Sequence, residues 1–235
     1  MKDNITTVLF DLDGTLLPFN QDDFIHSYFG RLVTKLIPLG FEKDSLLKGV
    51  LAGMNSMLHN DGTKTNEEAF WDTFEGLLHT NRNDLDSTFR EFYKKEFDEV
   101  KEVVPAGINR KNIIKELKLK GYQLILATNP LFPKEAVATR LSWIGLSSDD
   151  FSYVTTFDNS TYCKPNLEYY KHILATLGKD PKECVMIGNN TLEDMIAEQL
   201  GMKVGLVTTN IENQNNYDIN QFINGTLEEV VEALL

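Results

Sequence analysis

At 235 residues the chain can bury a sizeable core in one or two domains, and its 42% apolar and 25% charged residues are those of an ordinary soluble globular protein. The net charge of −12 argues against a nucleic-acid partner, because phosphate backbones are bound by basic surfaces, whereas a small phosphate ester needs only a local cation and a few donors. No apolar run approaches the roughly 20 residues of a membrane span, and Met1-Lys2-Asp3-Asn4 is unlike a signal peptide, so no membrane partner and a cytoplasmic setting are expected.

Cys163 and Cys184 are the only cysteines, too few for a metal framework or a disulfide scaffold, and read as reduced core thiols. Residues 5–10 are β-branched and apolar and end at turn chemistry, which predicts a short buried strand. From residue 18 to residue 103 no comparable strand follows; segments 21–37, 43–59, 65–79 and 84–98 show helical spacing. In the third, Thr65 and Glu68 form a capping-box signature, and Phe70, Trp71, Phe74, Leu77 and Leu78 share one face. Phe89, Phe92, Tyr93 and Phe97 do the same in the fourth, which marks packing.

Beyond Val104-Pro105-Ala106-Gly107 helical patterns alternate with short apolar runs. Helices are predicted over 108–120, 133–143, 166–177, 191–200 and 226–234, and strands over 123–127, 153–156, 184–187 and 204–207. Gly121, Gly178 and Gly201 stand just past helical patterns, where a left-handed cap needs glycine. The Asn/Gln-rich stretch 209–221 reads as a surface loop, with a short edge strand around 218–223. Strands separated by helices imply parallel pairing through right-handed crossovers, hence an α/β doubly wound sheet whose first strand is separated from the rest by an all-helical insertion.

Ligands of such sheets bind outside the carboxyl ends of the strands, and four strand ends carry suggestive residues. The first ends in Asp11, followed by Asp13, Gly14 and Thr15; paired acids can cap a turn, or one can attack phosphorus while the other moves protons. The second runs into Thr128-Asn129-Pro130, either a plain turn or a hydroxyl and N–H groups for a phosphoryl oxygen. Lys164-Pro165 precedes the helix near Asn166, where the proline is punctuation and the lysine can neutralise phosphate charge. The fourth end, Gly188-Asn189-Asn190-Thr191-Leu192-Glu193-Asp194, offers oxygen ligands suited to Mg²⁺, although acids in a first helical turn also suit the helix dipole.

Taken together and in this order, these residues resemble the haloacid dehalogenase superfamily over nearly the whole chain. Asp11 and Asp13 match its Asp-x-Asp-Gly-Thr first motif, Thr128 the second, Lys164 the third and residues 188–194 the fourth. The resemblance implies a Rossmann-like α/β core of residues 1–17 and 104–235, with residues 18–103 as a helical cap that closes over the site and helps select the substrate. It further implies a phosphatase with Asp11 as nucleophile and Asp13 as general acid/base. Thr128, Asn129 and Lys164 would bind phosphate, and Mg²⁺ would be held by Asp11, the Asp13 carbonyl, Asn189 and Asp194. The substrate would be a small phosphorylated metabolite, with Phe19, Asn20 and Asp23 near its entrance.

The fourth motif departs from the family pattern, since Asn189 and Asn190 fill both positions where an acid usually stands. An amide oxygen ligates Mg²⁺ without negative charge and binds it more weakly, so Glu193 or Asp194 would take over directly or through water. Dehalogenation is disfavoured by Asp13, because a halide needs no proton on leaving. A phosphomutase and a catalytically weakened binding or regulatory protein are the other readings.

Overall fold

The computed structural model describes residues 5–235, and the expectation drawn from residues 1–4 lies outside them. Six parallel strands form one sheet: β1 (Thr7–Phe10), β2 (Gln123–Leu126), β3 (Tyr153–Val154), β4 (Cys184–Gly188), β5 (Lys203–Val207) and β6 (Ile223–Gly225), in the order β3-β2-β1-β4-β5-β6. Every residue of β1 and β4 is buried, as expected of parallel strands covered on both faces. Chain order reverses beside β1, which makes the β1/β4 boundary the switch point where such sheets bind ligands.

Register fixes where the strands end. Phe10 lies opposite both Leu126 of β2 and Ile187 of β4. The ladder continues one step beyond, with Asp11 N–H donating to the Ile187 carbonyl at 2.9 Å and Ala127 N–H to the Phe10 carbonyl at 2.7 Å. Residues 11, 128 and 188–189 therefore emerge side by side.

The inserted stretch after β1 carries α1 (Gln21–Leu36), α2 (Lys43–Leu58), α3 (Asn66–Leu78) and α4 (Arg82–Lys94), and a further helix leads from it into β2. Thr65 and Glu68 make the expected capping box at α3. Phe70, Trp71 and Phe74 are buried, but Leu77 is exposed. The fourth expected helix breaks at Lys95, whose φ of −123° and ψ of −81° are not helical, and a 3₁₀ segment (Glu96–Val103) carries Phe97 into the core.

The remaining helices are α5 (Lys111–Leu119), α6 (Lys134–Trp143), α7 (Leu167–Leu177) and α8 (Leu227–Leu234). Gly121, Gly178 and Gly201 take φ of +89°, +62° and +91° after their helical turns. The expected helix 191–200 is instead a run of turns followed by a 3₁₀ segment (Met195–Leu200), because the Asp194 carboxylate turns back to accept the Asn190 N–H at 3.0 Å. The edge strand falls at 223–225, after a 3₁₀ turn at Ile219–Gln221.

Alternate strand residues feed two apolar layers. Leu9, Ile125 and Met186 pack with Tyr169, Tyr170 and Ile173 of α7. Val8, Phe10, Leu124 and Ile187 face the other way and join one continuous cluster with Phe24, Tyr28, Phe74 and Phe92 of the inserted helices. Phe132, in the loop after β2, is the bridge: its ring lies 5.5 Å from Tyr28 and 6.2 Å from each of Phe24, Tyr93 and Phe97. A polar seam reinforces the junction. Asn66, fully buried, donates from Nδ2 to the Pro130 carbonyl at 3.2 Å and to Cys163 Sγ at 3.3 Å. Among the described residues no helix is long and apolar enough to cross a membrane.

Candidate active site

The segment after β1 turns sharply. Leu17 N–H returns to the Leu12 carbonyl at 2.8 Å, and Gly14 takes φ +80° with its N–H on the Leu17 carbonyl at 2.8 Å. A Cβ at position 14 would lie 2.2 Å from Asn189 Nδ2, so glycine serves both the backbone angle and the close approach of the β4 loop. Thr15 then reaches two ways: its hydroxyl lies 3.3 Å from Asp11 Oδ2 and 3.1 Å from Asn189 Oδ1.

Lys164 has no exposed side-chain surface, and its ammonium donates to Asp11 Oδ1 at 2.9 Å and to Asp194 Oδ1 at 2.6 Å. Burial alone would lower the lysine pKa, but the two carboxylates outweigh it and hold Lys164 charged. It sits behind the carboxylates and does not itself line the cleft. Burial pushes Asp11 up to about 8 against the Lys164 charge, with Asp194 and Asp13 adding to the rise. Burial likewise pushes Glu193 up to about 7.

Thr128 and Asn129 leave β2 into the same space. The Thr128 carbonyl is pinned by the Thr155 hydroxyl at 2.7 Å and the Tyr169 hydroxyl at 2.9 Å. The Asn129 side chain is committed to structure: Oδ1 accepts the Lys164 N–H at 3.3 Å and Nδ2 donates to Glu193 at 3.0 Å. That commitment leaves the backbone N–H, as expected from the sequence, as the group of Asn129 for a phosphoryl oxygen.

The two asparagines of the fourth strand end diverge. Asn189 Oδ1 takes the Thr15 hydroxyl while its Nδ2 donates to the Asn210 carbonyl at 2.7 Å. Asn190 Oδ1 instead caps the Leu192 and Glu193 N–H groups, both at 2.9 Å, and its Nδ2 binds Glu212 at 2.9 Å. Gly188 admits the returning Asp194 carboxylate, which a Cβ there would meet at 2.1 Å.

Two participants, Arg140 and Glu212, carried no recognisable signal in the sequence. Arg140 of α6 ion-pairs with Asp13 and lies over the Phe132 ring at 4.4 Å, with no exposed surface of its own. Within a helical pattern an arginine reads as a solvated charge. Glu212 comes from the weakly patterned 209–221 loop, which pairs back through Glu212 N–H to the Asn189 carbonyl at 2.9 Å. Thr15 belongs to the first motif but reads there as a turn residue.

These groups floor a cleft of about 230 Å³ whose roof is supplied by α1 and α2, among them Phe24, Tyr28 and Met54. Phe19 is buried against Phe24, and Asn20 caps α1 by accepting the Asp22 and Asp23 N–H groups, so none of the three expected entrance residues lines the cleft. Five carboxylates (Asp11, Asp13, Glu193, Asp194 and Glu212) face only Lys164 and Arg140 in opposition. Asp13 Oδ1 is buried without a hydrogen-bond partner. Among the described residues no three acidic, histidine or cysteine side chains form a ready-made ligand cluster. An all-oxygen set of surplus negative charge, with two carboxylates beside an amide oxygen, suits Mg²⁺, which takes one or two carboxylates and keeps several waters.

A family model described as "Hydrolase: haloacid dehalogenase-like hydrolase" matches residues 5–201. Pyrophosphatase PpaX from Bacillus velezensis is 28% identical over 208 residues, 88% of this chain and 85% of the relative. The crystal structure of a HAD phosphatase from Thermococcus onnurineus superposes with a TM-score of 0.62 at 24% identity, covering 98% of each chain. A HAD family enzyme from Bacteroides thetaiotaomicron, in complex with magnesium and inorganic phosphate, does so with a TM-score of 0.54 at 17% identity, over 91% of this chain and all of that one.

Proposed function

The chain belongs to the haloacid dehalogenase-like hydrolases, as a phosphatase, and on that premise we propose that it cleaves small phosphate monoesters through an aspartyl-phosphate on Asp11. The observation that carries this reading is the Asp11 carboxylate, which borders the cleft while Lys164 and Thr15 grip it from behind. Such a grip orients a nucleophile without blocking it. Residues 1–17 and 104–235 act as the catalytic core and residues 18–103 as the cap over it, in a cytoplasmic setting.

An Asp11 oxygen attacks phosphorus, forming the acyl phosphate as the ester P–O bond breaks. Protonated Asp13 gives its proton to the departing alkoxide, so the alcohol leaves neutral. The Asp13 carboxylate then takes a proton from water as that water attacks phosphorus, which releases phosphate and restores Asp11. The Thr128 hydroxyl and the backbone N–H of Asn129 hold phosphoryl oxygens, while the buried Lys164 offsets negative charge as the anionic ester approaches Asp11. Mg²⁺ would be held by Asp11, the Asp13 carbonyl, Asn189 and Asp194, and would neutralise the phosphoryl group and hold it toward Asp11.

Phosphate release from p-nitrophenyl phosphate should require Mg²⁺, stop in EDTA and be lost in Asp11→Asn. Full turnover by that variant rules Asp11 out as nucleophile. Folded protein that is inactive on every ester favours the binding-protein reading.

A further inference from the structure

The floor and the roof of the cleft differ in chemistry. Every carboxylate lining it belongs to the floor, and no Lys, Arg or His lines it among the described residues. The roof is hydrocarbon: Phe24, Ile25, Phe29, Leu51 and Met54, with Phe132 closing the side. Tyr28 adds a ring whose hydroxyl is hydrogen-bonded to the Tyr93 hydroxyl at 2.8 Å. Besides it, Gln21 is the one uncharged polar side chain that the roof contributes.

A leaving group with a second phosphate or carboxylate would stand between these rings and five carboxylates, with no cation of the roof to meet it. A sugar would leave its hydroxyls unpaired against the same surface. Hydrocarbon loses nothing there and gains by leaving water.

The apolar lining also continues outward. Ile25, Phe29 and Leu51 line the cleft and also a groove of about 740 Å³ between α1 and α2, whose floor adds Val33, Ile37 and Leu47. Ile25 and Leu51, 41% and 53% exposed, belong to one contiguous apolar surface rather than standing singly. The polar residues of the groove, Asp22, His26 and Lys43 among them, are exposed.

We propose that the substrate is a phosphate monoester of an apolar alcohol, alkyl or aromatic, without a second anionic group, and that the α1/α2 groove takes the outer part of a long hydrocarbon chain. This specificity rests on the phosphatase reading above and names the alcohol that reading leaves open. It also sets this chain apart from a pyrophosphatase, the activity named for its Bacillus velezensis relative.

Phosphate release with Mg²⁺ tests it across ethyl, butyl, hexyl and octyl phosphate, held below micelle-forming concentrations, together with phenyl phosphate, glycerol phosphate and pyrophosphate. The expected kcat/KM climbs along the alkyl series, by roughly fourfold at most per methylene. Pyrophosphate should fall about a hundredfold below octyl phosphate, since a charge meets an unprepared apolar wall. Leu51→Lys, at an exposed position that tolerates the change, should lower octyl phosphate turnover about tenfold and raise that of pyrophosphate. A flat alkyl series, pyrophosphate turned over as well as octyl phosphate, or an octyl rate unmoved by Leu51→Lys overturns the apolar-alcohol assignment while leaving the phosphatase reading intact. Release from no ester overturns both.

Discussion

The Arg140 guanidinium, without exposed surface, donates to the Asp13 carboxylate from 127 residues further along the chain. Arg140 Nη2 and Asp13 Oδ1 have no other partner, so a single hydrogen bond joins the pair. Its position is set from the other side by the Phe132 ring, which stacks at 4.4 Å. On the proposed mechanism Arg140 acts through Asp13, as a positioning residue for the group proposed to move protons.

Arg140→Lys keeps the charge but loses the planar stack and the fixed fork, so kcat should fall about tenfold. The loss should be larger for an alkyl phosphate than for p-nitrophenyl phosphate, whose leaving group needs little protonation. Equal losses on both would mark a purely structural role. Arg140→Met should cost about 2 kcal/mol in urea unfolding, below the range for a fully buried pair because Asp13 is 25% exposed and can rehydrate.

Asn189 and Asn190 should answer differently to the same substitution. Asn189 Oδ1 lies one Thr15 hydroxyl away from Asp11, so Asn189→Asp adds charge beside the proposed Mg²⁺ ligands and should tighten Mg²⁺ binding about tenfold. Asn190→Asp replaces the donor that meets Glu212 with a second carboxylate, and should leave the Mg²⁺ titration unimproved while costing about 1 kcal/mol of stability. Calorimetric Mg²⁺ titration of the two variants checks both outcomes.

Burial raises Asp11 to about 8, which favours the protonated carboxyl in metal-free protein against the pull of Lys164. Ligating Mg²⁺ requires that proton to leave. Apparent Mg²⁺ affinity should therefore rise as pH climbs toward 8, by about tenfold per pH unit, and level off above it. Calorimetry in buffers of different ionisation enthalpy should register about one proton released at pH 7. A pH-independent affinity with no proton released would remove Asp11 from the ligand set.

The alternation of strands and helices was legible because buried parallel strands are short apolar runs and several helices declare an end, as Thr65 and Gly178 do. Asp11, Asp13 and Thr128 could be singled out because they stand just past β1 and β2, whose register brings them together, while Lys164 and Asp194 lie in the longer loops after β3 and β4. Arg140 and Glu212 could not. Arg140 reaches Asp13 only through the tertiary placement of α6, which has no local pattern. Glu212 depends on a loop folding back on Asn189. The helix expected over 191–200 failed for a related reason: the Asp194 side chain serves Lys164 and Asn190 rather than a helical first turn. The continuous apolar roof was hidden too, since helical spacing identifies an apolar face but not what that face overlooks.

Arg90 of α4 ties the inserted helices to the sheet domain far from the nucleophile. Its guanidinium meets Glu67 and Asp86 on the helical side, and Glu135 at 2.9 Å and Asp158 at 3.2 Å on the other. With Arg90 21% exposed and Glu135 9%, the network is only partly screened by water, and removing its centre leaves four acids with only Arg82 on the helical side and the more distant Lys94 to offset them. Arg90→Met should lower stability by about 2 kcal/mol, read as a drop in thermal midpoint that high salt partly restores by screening the acids. The same variant loosens the seam between the roof helices and the floor of the cleft. Substrates held by both should then lose binding more than chemistry, so KM for an alkyl phosphate should rise severalfold while kcat changes little. Loss of kcat at unchanged KM would instead mean that the seam transmits directly to Asp11 and Asp13.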